Sequence, residues 1–183
     1  MSNVIIIHGN GGSTASDHWI PSLKRELEHA GIPTIARDFP DNQLARAKYW
    51  IPFLRDELKA NHETIIVGHS SGAVCAMRFA EEYPLLGSVL VGGCYTDLGY
   101  ESERVSGYYD APWEWPKIRA NQQWIAQFAS SDDPWIPIEE ARHIHKMLNT
   151  EYYEYSDRGH FGGDRVAVEF PECLELIMHK LSS

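Results

Sequence analysis

The sequence predicts an open α/β sheet, with parallel strands covered by helices on both faces. Three observations lead there. Short apolar runs alternate with amphipathic stretches from one end of the chain to the other. Most of those runs are continuous rather than alternating, the pattern of strands buried on both faces of a parallel sheet. And 183 residues, at about 100–200 per domain, provide for one domain with one substantial core.

The predicted strands fall at residues 4–7, 34–36, 64–67, 88–91, 124–128 and 152–155. Helical stretches lie between or after them at 18–30, 43–60, 72–82, 137–148 and 166–180. In the first, Trp19, Leu23, Leu27 and Ala30 recur at helical spacing, and Gly31 follows where a terminating glycine belongs. Pro52 and Pro171 interrupt the second and last helical patterns, which predicts a kink or a break at each. Repeated βα units imply right-handed crossovers. Residues 94–121 break the rhythm, with no clean period but with Tyr95, Tyr100, Tyr108, Tyr109, Trp113 and Trp115. Such a stretch reads either as a short functional lid or as an aromatic-rich loop packed over the sheet edge. With no internal repeat, low-complexity tract or linker, the expectation is a single domain over residues 1–183.

Composition narrows the function. Apolar residues make up 43% and charged residues 23%, the balance of a globular chain rather than a disordered one. Sixteen Lys and Arg against 26 Asp and Glu leave a formal charge of −10, with no cationic block. That argues against nucleic acid and against anionic lipid as partners. No apolar run approaches the roughly 18–20 residues that span a bilayer, and Met1-Ser2-Asn3-Val4 lacks the basic start of a secretory signal. Cys75, Cys94 and Cys173 are too scattered for a disulfide framework or a metal clamp and read as small buried hydrophobes. The expectation is a cytoplasmic protein. His143 and His145, two apart on a helix, cannot converge on zinc, so neither metal nor cofactor is expected.

The strongest chemical signal is Gly68-His69-Ser70-Ser71-Gly72. It follows the apolar run Thr64-Ile65-Ile66-Val67 and opens a helix of small residues, so it is strand, sharp turn and helix, the context of a nucleophile elbow. Glycines on either side remove the Cβ atoms that such a turn would crowd, and the helix N-terminus aims its free N–H groups where an oxyanion would form. By composition alone such a pentapeptide arises about 0.06 times per chain of this length, so its partners decide the matter. A serine needs a base, and the base needs an acid that fixes its tautomer, in the chain order serine, acid, histidine for elbow enzymes. The fifth strand is followed by Ser131-Asp132-Asp133-Pro134, and the sixth by Arg158-Gly159-His160-Phe161. Ser70, Asp133 and His160 thus follow three separate strands in the required order. Asp132 is the alternative acid, and Asp133 is preferred because it stands at the turn into the next helix. Asp157 reads as a turn former, and His29, His62 and His179 as solvated.

The first strand ends Ile7-His8-Gly9-Asn10-Gly11-Gly12. This glycine-rich turn meets neither phosphate-loop pattern. It reads better as an oxyanion loop, the Asn10 backbone N–H pairing with that of Ser71, while His8 orders the turn. His69 flanks the nucleophile and is a pocket-lining residue without a chemical step.

Taken together these blocks resemble the small α/β-hydrolases of the retinoblastoma-binding protein 9 family. The likeness runs almost end to end, through Gly9-Asn10-Gly11-Gly12, the elbow, Thr96-Asp97-Leu98-Gly99, Ser106-Gly107-Tyr108, Pro112-Trp113-Glu114-Trp115, Asp132-Asp133-Pro134 and Gly159-His160-Phe161. The resemblance implies a minimal α/β-hydrolase fold, strand order 2-1-3-4-5-6, with no large cap domain. It implies a serine hydrolase of the carboxylesterase or amidase type, with Ser70 as nucleophile, His160 as base and Asp133 as acid. Its substrates would be small esters and amides, including aminoacyl ones. Trp113 and Trp115 are the candidate walls for the acyl group. Two departures stand out. The family's Leu-x-Cys-x-Glu signature for the retinoblastoma pocket is replaced by Leu58-Lys59-Ala60-Asn61-His62, so that partner is not expected. After His160 the chain continues Phe161-Gly162-Gly163-Asp164. The rival readings are a binding scaffold that keeps an unused triad, and a peptidase using the same acyl-serine.

Overall fold

In the computed structural model, which describes residues 2–162 and 167–182, six strands form one parallel sheet in the order β2-β1-β3-β4-β5-β6. They are β1 (Asn3–Ile7), β2 (Thr34–Ala36), β3 (Thr64–His69), β4 (Leu85–Val91), β5 (Gln122–Ser130) and β6 (Glu151–Tyr155). Between or after them lie α1 (Ile20–His29), α2 (Ala47–Pro52), α3 (Ser71–Ala80), α4 (Glu101–Arg104), α5 (Trp115–Ala120), α6 (Ile138–Leu148) and α7 (Pro171–Ser182). This is the open α/β architecture that the alternation of apolar runs and amphipathic stretches requires, with helices on both faces.

The pleat sorts the core into two layers. Val4 and Ile6 of β1 point to one face, with Ile65, Val67, Val89, Val91, Ala126 and Phe128, and pack against Trp19, Leu23 and Leu27 at α1 and Cys173, Leu176 and Ile177 of α7. Ile5 and Ile7 point to the other, with Ile66 and Leu90, and meet Trp50, α3, Ile118 of α5 and Ile144 of α6. Helix α3 is buried at every residue but Arg78, which is why its sequence is small and apolar all round rather than amphipathic. Parallel register continues past the strand ends and seats the loops. Ser70 N–H donates to Val91 O at 2.8 Å, Gly92 N–H to Phe128 O at 3.0 Å, and Ser131 N–H to Tyr155 O at 2.8 Å. The carboxyl edge of the sheet is therefore a fixed platform, the place where open α/β sheets carry their sites.

Several boundaries differ from the sequence pattern for identifiable reasons. The helix expected over 43–60 starts at Ala47, because Asp41 and Ala45 adopt positive φ (55° and 52°) and Asp41 turns back to bind the Arg46 guanidinium at 2.8 and 2.9 Å. At Pro52 the α-helix ends, but the chain stays helical. It widens into a π-helical turn at Phe53–Glu57, closed by Leu58 N–H to Phe53 O at 3.0 Å, one way to accommodate a residue that lacks an N–H. Pro171 does not break the last helix. It is its first residue, where the missing N–H costs nothing, while the expected start at Val166 lies outside the described residues. The aromatic stretch 94–121 is not wholly irregular, since α4 and α5 lie within it. Among the described residues no helix is long and apolar enough to cross a membrane.

Candidate active site

The turn between β3 and α3 holds Ser70 at φ 55° and ψ −120°, a backbone state that an L residue adopts only where its surroundings impose it. The flanking glycines show what imposes it. A Cβ on Gly68 would sit 2.3 Å from the Gly72 carbonyl oxygen, and one on Gly72 would sit 2.6 Å from the carbonyl oxygen of Ile7. Strand, turn and helix can approach this closely only without those side chains. Ser71, the first residue of α3, carries an N–H that a helix leaves without an intrahelical acceptor.

The loops after β5 and β6 bring the other groups. His160 Nδ1 lies 2.7 Å from Asp133 Oδ2, and the two side chains are 11% and 3% exposed. Asp133 is itself held, because Oδ1 accepts from the backbone N–H groups of Trp135 at 2.8 Å and Ile136 at 3.0 Å. With Nδ1–H donated to the carboxylate, the tautomer leaves Nε2 as the basic nitrogen. The neighbouring Asp132 has a different task. Its Oδ1 accepts from Ser130 Oγ at 2.6 Å and from the Gly159 N–H at 2.9 Å, tying the β5 loop to the residue before His160. The side chain that meets the imidazole is thus Asp133. From the far side, the Trp19 indole N–H donates to Phe161 O at 2.9 Å and braces the same loop.

Two further histidines are structural. His69 lies 2.7 Å from the His160 carbonyl oxygen through Nε2, which therefore carries the proton. Burial, and then the nearby His160, push its pKa down from 6.5 to about 3, so it stays neutral. His8 sits between Gly9 O, 2.7 Å from Nδ1, and the Phe39 N–H, 2.9 Å from Nε2, and fixes the entry to the glycine-rich turn. Desolvation lowers its pKa as well.

Ser70, His160, His69 and Asn10 all line one cleft of about 500 Å³, with further walls from His18, Leu98, Tyr100, Glu103, Trp135 and Ile136. Trp113 and Trp115, expected as walls, are not among its lining residues. Trp113 donates its indole N–H to Tyr95 O at 2.8 Å, lies under the Arg78 guanidinium at 3.7 Å and stacks on Trp115 at 5.4 Å. The pair braces the aromatic segment against α3. Of the walls, sequence reasoning named His69 and passed over His18, Leu98, Tyr100, Glu103, Trp135 and Ile136. Trp135 offered a signal in its place two residues beyond Asp133, and in the structure it is 56% exposed. His18, at φ 55° in a connecting turn, offered none. No group of three or more His, Cys, Asp or Glu side chains among the described residues is placed to hold a metal ion. His143 stacks on Tyr95 at 4.0 Å, and His145 Nδ1 lies 3.0 Å from Thr150 Oγ1.

Known proteins share this plan. The family model described as serine hydrolase matches residues 4–179. Rat serine hydrolase RBBP9 is 39% identical over 183 residues, covering 99% of this chain and 96% of the relative. The chain belongs to the serine hydrolase family. Among other relatives, the putative hydrolase YdeN of Bacillus subtilis is 28% identical over 179 residues, covering 95% and 93% of the two chains. The crystal structure of the ydeN gene product from B. subtilis superposes with a TM-score of 0.91 at 24% identity over the full length of both chains. Est1E of Butyrivibrio proteoclasticus, solved with ferulic acid bound, has the same fold at a TM-score of 0.77 and 13% identity, over 100% and 90% of the chains. For this serine hydrolase the fold and the hydrolase function follow.

Proposed function

We propose that the protein hydrolyses small esters or amides, aminoacyl ones included, through a covalent acyl-Ser70 intermediate. His160 Nε2 takes the Ser70 Oγ proton as Oγ bonds to the acyl carbon. The carbonyl oxygen becomes an oxyanion held by the Asn10 and Ser71 backbone N–H groups, at the positive end of α3. As the tetrahedral intermediate collapses, the bond to the leaving group breaks and His160 returns the proton to it. Water then repeats the cycle, giving its proton to His160 and releasing the acid from Ser70. Asp133 keeps the imidazole in the required tautomer and stabilises the imidazolium that forms.

The observation that carries this reading is the His160–Asp133 hydrogen bond of 2.7 Å on the same cleft as a serine held at φ 55°. The cleft volume of about 500 Å³ falls within the range of small-molecule sites, which favours a compact substrate over a folded protein. Its lining side chains include one carboxylate, Glu103, and no Lys or Arg, so neutral acyl groups should be preferred to anionic ones. The test is hydrolysis of a panel of p-nitrophenyl and aminoacyl esters and amides of graded size and charge. Turnover of short neutral or aminoacyl substrates, abolished in Ser70→Ala, is the expected result. Rates indistinguishable from Ser70→Ala across the panel, from folded wild type, would leave the unused-triad scaffold as the better account.

A further inference from the structure

Glu103 takes no step in the scheme above, yet its carboxylate stands on the cleft wall at the end of two hydrogen bonds from distant parts of the chain. Asn10 Nδ2 donates to Oε1 at 2.6 Å, across 93 residues of sequence. The Tyr109 hydroxyl donates to Oε2 at 3.2 Å, and the Cys94 thiol, 3.1 Å from that hydroxyl, can donate to it in turn. Neither partner of the carboxylate is a cation. Burial pushes the carboxyl up from its ordinary range while these two hydrogen bonds pull it back. Burying a carboxylate is unfavourable unless its oxygens are satisfied, and here both are satisfied by groups whose placement matters.

The turn around Asn10 explains why. Its entry is held by His8 through the Phe39 N–H. Its exit is held by Gly11 N–H to Gln43 O at 3.1 Å, Gly12 N–H to Asn42 O at 3.2 Å and Asn42 Nδ2 to Ser13 O at 2.8 Å. Asn10 lies between, followed by two glycines at φ 67° and 83°, and its side chain reaches across the cleft to α4. That helix is in turn seated by Ser106 Oγ to Glu103 O at 2.6 Å and by Ala47 N–H to Ser106 O at 2.8 Å.

We propose that Glu103 is a positioning residue: from α4 it fixes the Asn10 side chain, so that the Asn10 backbone N–H is aimed at the developing oxyanion. The seating of residues 98–109 is thereby coupled to turnover. The proposal rests on the catalytic reading above.

The test measures kcat and KM separately for p-nitrophenyl butyrate and for a cationic aminoacyl ester. Wild type is compared with Glu103→Ala, Glu103→Gln, Asn10→Ala and the Asn10→Ala/Glu103→Ala pair, with circular dichroism confirming the fold. Displacing an oxyanion donor should lower kcat for the neutral ester about 10- to 100-fold in Glu103→Ala, with KM within about twofold. Glu103→Gln, which keeps an oxygen for Asn10, should recover most of that loss. Glu103→Ala should cost little more once Asn10 is already alanine. The proposal is overturned if Glu103→Ala leaves kcat intact, if the two losses multiply, or if the effect appears only as a raised KM for the cationic ester. That last outcome would make Glu103 a reader of substrate charge. Should Glu103→Ala fail to fold, Glu103→Asp, which withdraws the carboxylate from Asn10, is judged by the same criteria. Turnover lost in Ser70→Ala but intact in Glu103→Ala rejects the positioning role alone. Turnover surviving in Ser70→Ala rejects the catalytic reading and the positioning role with it.

Discussion

Two adjacent aspartates illustrate how much a single position decides. Asp132 and Asp133 are indistinguishable by composition, and in sequence they differ only in distance from Pro134. In the structure Asp133 meets the imidazole and Asp132 staples the loop through Ser130 and Gly159. Their amide variants should therefore separate. Asp133→Asn can stabilise the wrong imidazole tautomer and should lower kcat on the order of 10³- to 10⁴-fold. Asp132→Asn keeps an oxygen for both donors and should lower it by less than about tenfold. Ester kinetics on the two variants measure this, and equal losses would contradict the division of roles. The glycines of the elbow were legible at this scale, because a missing Cβ has one steric meaning between a strand and a helix. The walls were not. Tyr100 and Trp135 lie in loops, and Glu103 in the single turn of α4, none of which a periodicity describes.

At the level of elements, β3 and α3 set the turn that holds Ser70, and the residue that closes β3 has a thermodynamic signature. His69 is buried, and desolvation holds its pKa near 3 rather than 6.5. The unfolded chain therefore binds a proton that the folded state refuses. Its contribution to stability is full above about pH 6.5 and falls as the pH drops toward 3, by up to about 1.4 kcal/mol per pH unit. His8, lowered by the same cause, adds to this acid limb. Glu103, raised by burial, acts in the opposite direction, favouring the folded state until the pH rises through its folded value. Chemical denaturation across this range should show a shallower limb in His69→Gln than in wild type, and identical limbs would contradict the assignment. Strands were legible as continuous apolar runs, and long amphipathic helices by the period that one-sided burial imposes. Helix α4 was not, since four residues make a single turn and all four are partly or fully exposed, leaving no apolar stripe to detect.

For the whole molecule, six parallel strands bring three loops to one edge, and the order of chemical groups along the chain becomes proximity in space. The architecture was legible from continuous apolar runs such as Thr64-Ile65-Ile66-Val67, whose burial on two faces leaves them no polar alternation. The strand order rested instead on resemblance to a family, and the sheet has that order. The aromatic segment was legible as an interruption but not in its use. Its tryptophans face Arg78 and Tyr95, while Leu98, Tyr100 and Glu103 reach the cleft. The proposed chemistry depends on a reactive Ser70. The direct measurement is covalent labelling by a fluorophosphonate probe, with the adduct mapped to its peptide by mass spectrometry in wild type, Ser70→Ala and His160→Ala. One adduct is expected, on Ser70, absent in Ser70→Ala and formed far more slowly in His160→Ala. Folded wild type that fails to label, or a label that persists in Ser70→Ala, would contradict that chemistry.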